Sequence, residues 1–70
     1  MSVREKETLV LLTKGYSARQ ISQMLSVTPN YVYSLIRMLK IRFNAHTNTG
    51  IVLNAIDENV IKPDGTLPEE

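Results

Sequence analysis

Three helix-start signals, at Ser2, Ser17 and Thr28, divide the first half of this 70-residue chain into short helices and leave little freedom in where each begins. Ser2-Val3-Arg4-Glu5 has the S-x-x-E form of a capping box. There a hydroxyl and a carboxylate reciprocally satisfy amides that a helix start leaves unpaired. The helix behind it runs through Leu9 and Leu12 and is expected over residues 3–14, with Gly15 at the left-handed position that ends a helix. Ser17-Ala18-Arg19-Gln20 repeats the box with Gln and opens a helix expected over 18–25, carrying Ile21 and Leu25. Thr28-Pro29 is the third start: a hydroxyl cap, then proline at the first helical position, where its missing amide costs nothing.

The third helix is expected over 29–43. Its apolar residues Val32, Leu35, Ile36, Leu39 and Phe43 fall at helical spacing and form one core-facing stripe. A polar loop from Asn44 to Asn48 follows, then a fourth helix over 48–59 with Ile51, Val52, Leu53, Ala55 and Ile56. Lys62-Pro63-Asp64-Gly65 reads as a turn, and residues 62–70 as a flexible acidic tail. The expectation is an all-α, four-helix domain over residues 1–61. Only Ser26, Val27 and Thr28 separate the second helix from the third. A turn that short imposes a steep crossing, with Val27 placed to plug the corner, as in a helix-turn-helix.

Seventy residues make one small domain. There is no cysteine and a single histidine, His46, which excludes disulfides and thiolate metal sites and leaves no zinc site. No glycine-rich phosphate loop or paired carboxylates suggest an enzyme, and no cofactor is expected. Leu9 to Leu12 is the longest unbroken apolar run, far too short for a membrane span. The amino-terminal residues, with Glu5 and Glu7 among basic ones, do not form a secretory signal. The expected location is the cytoplasm.

The formal net charge of +1 hides a segregated distribution. No carboxylate lies between Glu7 and Asp57, whereas Lys14, Arg19, Arg37, Lys40 and Arg42 all do. Local field matters more than total charge in steering a protein to DNA. On a wheel of about 100° per residue, the face opposite the core stripe of the third helix carries Asn30, Ser34, Arg37 and Ile41, flanked by Tyr33 and Asn44. Asn30, Tyr33, Ser34 and Arg37 are the expected base-contacting residues of a helix in a major groove: Asn can pair with adenine, Arg with guanine, and Ser with either. The competing reading is an ordinary solvated face.

Lys14, Ser17, Arg19, Thr28, Tyr31, Lys40 and Arg42 are the expected contacts to the phosphate backbone, which position a protein without reading sequence. Thr28 and Ser17 would act with the amides of the helix starts behind them. Each cation alone has the competing reading of a solvated surface charge; Arg42 has also that of packing along its own helix, and for Tyr31 packing beside the turn is an equal alternative. The large aromatic of Tyr33 suggests a contact to DNA backbone, to a thymine methyl or to a protein.

In their order and spacing, these residues resemble the LuxR/GerE-type helix-turn-helix domain of bacterial transcription regulators. The resemblance runs from about Ser2 to Ile61. Arg4-Glu5-x-Glu7 with Leu9, Leu11 and Leu12 resembles the family's R-E-x-E-V-L-x-L-L opening, and Gly15-x-Ser17 its G-x-S turn. Ile21 and Leu25 resemble I-A-x-x-L, Val27-Thr28 stands at I-S, and Val32 holds the valine of T-V-K. Arg42-Phe43 resembles K-L, Val52 and Ala55 match A-V-x-x-A, and Asn59-Val60-Ile61 resembles G-L-I. The resemblance implies a third helix in the major groove and a fourth that dimerises on paired half-sites. Tyr33 departs from it by replacing the usual DNA-contacting lysine, and Asn48 stands where an arginine is common. Leu35 replaces a histidine on the buried side, and Asn44-Ala45 replaces G-V.

Leu53, Ile56 and Val60 are the expected dimerisation residues, a symmetric apolar patch giving a weak dimer. Met38 and Ile41 form a second exposed apolar pair. The function expected is a sequence-specific transcription regulator that binds double-stranded DNA as a homodimer or as a heterodimer with a related regulator. The alternative is a protein-interaction module of the same fold that pairs with another regulator or with RNA polymerase and binds DNA weakly. The chain starts where the family motif starts, so no upstream receiver or ligand-binding domain is expected on it.

Overall fold

Each helix start is built by the hydroxyl that stands before it. In the computed structural model, which describes residues 1–68, Ser2 Oγ accepts from the Glu5 amide at 3.1 Å and the Ser2 amide donates to Glu5 Oε1 at 3.0 Å. Ser17 and Gln20 repeat that exchange at 3.2 and 2.9 Å. Thr28 Oγ1 accepts from Tyr31 N–H at 3.1 Å, with Pro29 at the first position. The fourth start has a cap that the sequence reading left inside a loop. Thr47 Oγ1 accepts from Gly50 N–H at 2.9 Å.

The resulting helices are α1 (Val3–Thr13), α2 (Ala18–Leu25), α3 (Pro29–Arg42) and α4 (Asn48–Asp57). Among the described residues there is no strand, and the chain is all-helical as expected. α4 stops two residues short of the expected end, for a reason shared by all four helices. Each terminates in a residue of positive φ, at Gly15 (94°), Ser26 (57°), Asn44 (51°) and Asn59 (60°). The next amide then reaches back five residues: Tyr16 to Leu11, Val27 to Ser22, Ala45 to Lys40 and Val60 to Ala55, at 2.8–3.1 Å. This is the Schellman closure, which satisfies carbonyls a helix end leaves orphaned. Only one of the four uses glycine.

The core is Leu9 and Leu12 of α1, Ala18 and Ile21 of α2, Val32, Ile36, Leu39 and Phe43 of α3, Ile51 and Ala55 of α4, and Ile61 behind it. The expected third-helix stripe is thus the buried one, Leu35 included. Val27 packs against this core from the turn, as the corner reading expected. α3 touches each of the other three helices, and α1 likewise. Asn54 adds a polar tie between α3 and α4, its Nδ2 donating to the Phe43 carbonyl at 2.8 Å. The two fully buried polar side chains are satisfied within their own helices: Thr8 donates to the Arg4 carbonyl at 2.8 Å and Ser22 to that of Arg19 at 2.7 Å.

Part of the segment expected as a flexible tail has a definite path. Lys62 N–H donates to the Thr66 carbonyl at 2.8 Å and Gly65 N–H to that of Lys62 at 2.9 Å. Asp64 accepts from both the amide and the hydroxyl of Thr66. Gly65 (φ 88°) is buried over α1, where an added Cβ would sit 2.9 Å from Lys14 Cγ. A turn motif therefore joins the domain because its glycine allows close approach to α1. Glu69 and Glu70 lie outside the described residues.

Candidate nucleic-acid interface

The polar residues of α3 gather on its free side because the opposite side is buried from Val32 to Phe43. Asn30, Tyr33, Ser34 and Arg37 are all exposed, as are Met38 and Ile41. They form one continuous surface with Thr28 and Tyr31 at its start. Ser34 is partly engaged already, its hydroxyl donating to the Asn30 carbonyl at 3.2 Å. Its oxygen keeps acceptor capacity for an outside donor.

The helix starts are poorer in free amides than expected. At α3, Pro29 has no N–H, Tyr31 N–H is spent on Thr28 and Val32 N–H on the Thr28 carbonyl, which leaves the Asn30 amide. At α2, Gln20 N–H is spent on Ser17 and Ile21 N–H on the Ser17 carbonyl, leaving those of Ala18 and Arg19. Both cap hydroxyls accept from inside the chain, so each can offer an outside phosphate only its proton.

The expected backbone-contacting cations stand in different surroundings. Lys40 is half-buried beside Arg37, and together with Tyr33, Ile36 and Asn48 they line a groove of about 320 Å³ between α3 and the start of α4. Tyr33 and Asn48 thus line the same groove. Arg42 is exposed in the last turn of α3. The Glu5 carboxyl is held below its ordinary value first by the Ser2 amide and then by the Ser2 hydroxyl, with smaller effects from the N-terminal ammonium and Arg42. Lys14 is exposed at the end of α1, its aliphatic stem against Gly65. Arg19 is exposed near the start of α2. The ion pair of Arg4 with Glu7 at 3.7 Å is half-exposed and contributes little.

The expected dimerisation patch divides. Leu53 is 60% exposed, whereas Ile56 and Val60 are partly buried against the chain's own core. Only Leu53 is fully presented. A larger apolar groove, about 470 Å³, lies between α1 and α2 and includes Val10, Leu11, Met24 and Leu25, with Leu67 from the carboxyl-terminal segment. Sequence reasoning missed it, because Leu67 was assigned to a tail and Met24 to a helix read only for its core side.

No helix among the described residues is long and apolar enough to cross a membrane. No protein-family model matches the chain, and neither a curated protein nor a solved structure does.

Proposed function

We propose that the chain is a DNA-binding transcription regulator of LuxR/GerE type, with α3 in the major groove and α4 pairing two copies. The observation that carries this reading is the free side of α3. It presents Asn30, Ser34 and Arg37 together, with Lys40 beside them, in a stretch without a carboxylate from Thr8 to Ile56. Asn and Arg are the side chains best suited to bidentate pairing with adenine and guanine, and a basic stretch without carboxylates suits a phosphate backbone. Selecting bound duplexes from a random library tests it. Arg37→Ala should relax the preference at one position, at about 1–3 kcal/mol, while Lys40→Ala weakens all sequences alike. Identical preferences in wild type and Arg37→Ala would rule out this placement of α3.

A second reading is supported by the apolar groove between α1 and α2 and by exposed Leu53, Met38 and Ile41. In it the chain is an interaction module that pairs with another regulator or with RNA polymerase. Absence of co-purification with either, alongside tight DNA binding, would count against it.

A further inference from the structure

The exposed part of α3 has two adjoining stripes that meet at Arg37. Asn30, Ser34, Arg37 and Ile41 form the outer stripe. Tyr33, Arg37 and Lys40 form the other, which Asn48 of α4 walls on its far side to make the groove of about 320 Å³. This groove is chemically divided. The Tyr33 ring and Ile36 side chain give an apolar wall, Arg37 and Lys40 give two cations, and Asn48 gives an amide that both donates and accepts. A sugar-phosphate backbone would be served by the cations alone and gains nothing from the wall. A pyrimidine C5-methyl group, which projects into the major groove, fits the apolar wall, while the cations and the amide suit the neighbouring base edge and phosphate.

We infer that this groove seats a pyrimidine 5-methyl group of duplex DNA against Tyr33, with Arg37 on the neighbouring base and Lys40 and Asn48 on the adjoining backbone. The inference rests on the DNA-binding reading above and names the feature of the duplex that is selected. Tyr33 is the specificity-determining side chain. Tyr33 is 54% exposed and offers apolar area to be covered on binding. Thymine and 5-methylcytosine present the same methyl, so the two sources must be separated by experiment.

The test uses duplexes selected by the wild-type protein. Each thymine is replaced singly by deoxyuridine and each cytosine by 5-methylcytosine, and affinities are measured by fluorescence anisotropy. One position per half-site should respond by about fourfold, the effect of removing one methyl from water. A loss on deoxyuridine assigns thymine; a gain on methylation with no uracil effect assigns 5-methylcytosine. Tyr33→Phe, which keeps the ring, should preserve the discrimination, and Tyr33→Ala should abolish it while circular dichroism shows an intact fold. A protein that binds duplex with no methyl effect overturns the inference and leaves DNA binding standing. So does discrimination that survives Tyr33→Ala. A folded protein that binds no duplex overturns both.

Discussion

Ser26 sits at the corner between α2 and α3 with φ 57° and ψ 43°, in the left-handed region. A residue with a Cβ is strained there by roughly 1–2 kcal/mol, and glycine is not. Ser26→Gly removes that strain and leaves both closing bonds in place, since they are backbone to backbone: Ser26 N–H to the Gln23 carbonyl at 3.3 Å and Val27 N–H to that of Ser22 at 2.9 Å. Opposing the gain is the greater freedom of glycine in the unfolded chain, roughly 0.4–1 kcal/mol. The net expectation is a stabilisation between zero and about 1.6 kcal/mol, centred at about 0.8 kcal/mol, or about 3–6 °C in Tm at that centre for a domain of this size. Asn44→Gly and Asn59→Gly, at φ 51° and 60°, are the internal comparison. Asparagine enters the left-handed region far more readily than most residues, so their net changes should stay within about 0.5 kcal/mol of zero. Thermal unfolding followed by far-ultraviolet circular dichroism measures all three. A lower Tm for Ser26→Gly, or an equal gain for the two asparagine variants, would refute the assignment of strain to Ser26.

Two further outcomes are expected. Leu53→Glu places a charge on the one fully presented residue of the α4 patch and should shift sedimentation toward monomer. An unchanged distribution would remove α4 from the dimer account. Glu5, with a carboxyl held below its ordinary 4.5 by Ser2, contributes stability that is complete above that value and is lost as pH falls through the lower folded value. Glu5→Gln retains a capping box, as Gln20 does for α2, but removes the titration. Its melting temperature should therefore fall less than that of the wild type on acidification below pH 4.5. Equal falls would show that Glu5 is not a source of the acid sensitivity.

What was legible in the sequence is what local chemistry decides. Ser2, Ser17 and Thr28 act within one helical turn, and the stripe from Val32 to Phe43 repeats at the helical period, so starts and core side followed directly. Helix ends were less legible. Gly15 announces itself, whereas Ser26, Asn44 and Asn59 end their helices in the left-handed conformation without a glycine to mark it. Thr47 lacks the Glu or Gln partner that made the first two caps conspicuous. The groove joining Tyr33 to Asn48 depends on how α4 lies on α3, which no local pattern encodes. Gly65 and Leu67 are set against α1 by the same kind of long-range contact.

The proposed DNA-binding role requires that α3 and the basic residues around it meet a phosphate backbone. Fluorescence-anisotropy titration of a labelled mixed-sequence duplex at a series of salt concentrations tests it most directly. The account predicts binding that weakens steeply as salt rises, through the release of counterions from the contacted phosphates. A protein shown to be folded that binds no duplex at low salt would contradict it and direct attention to a protein partner instead.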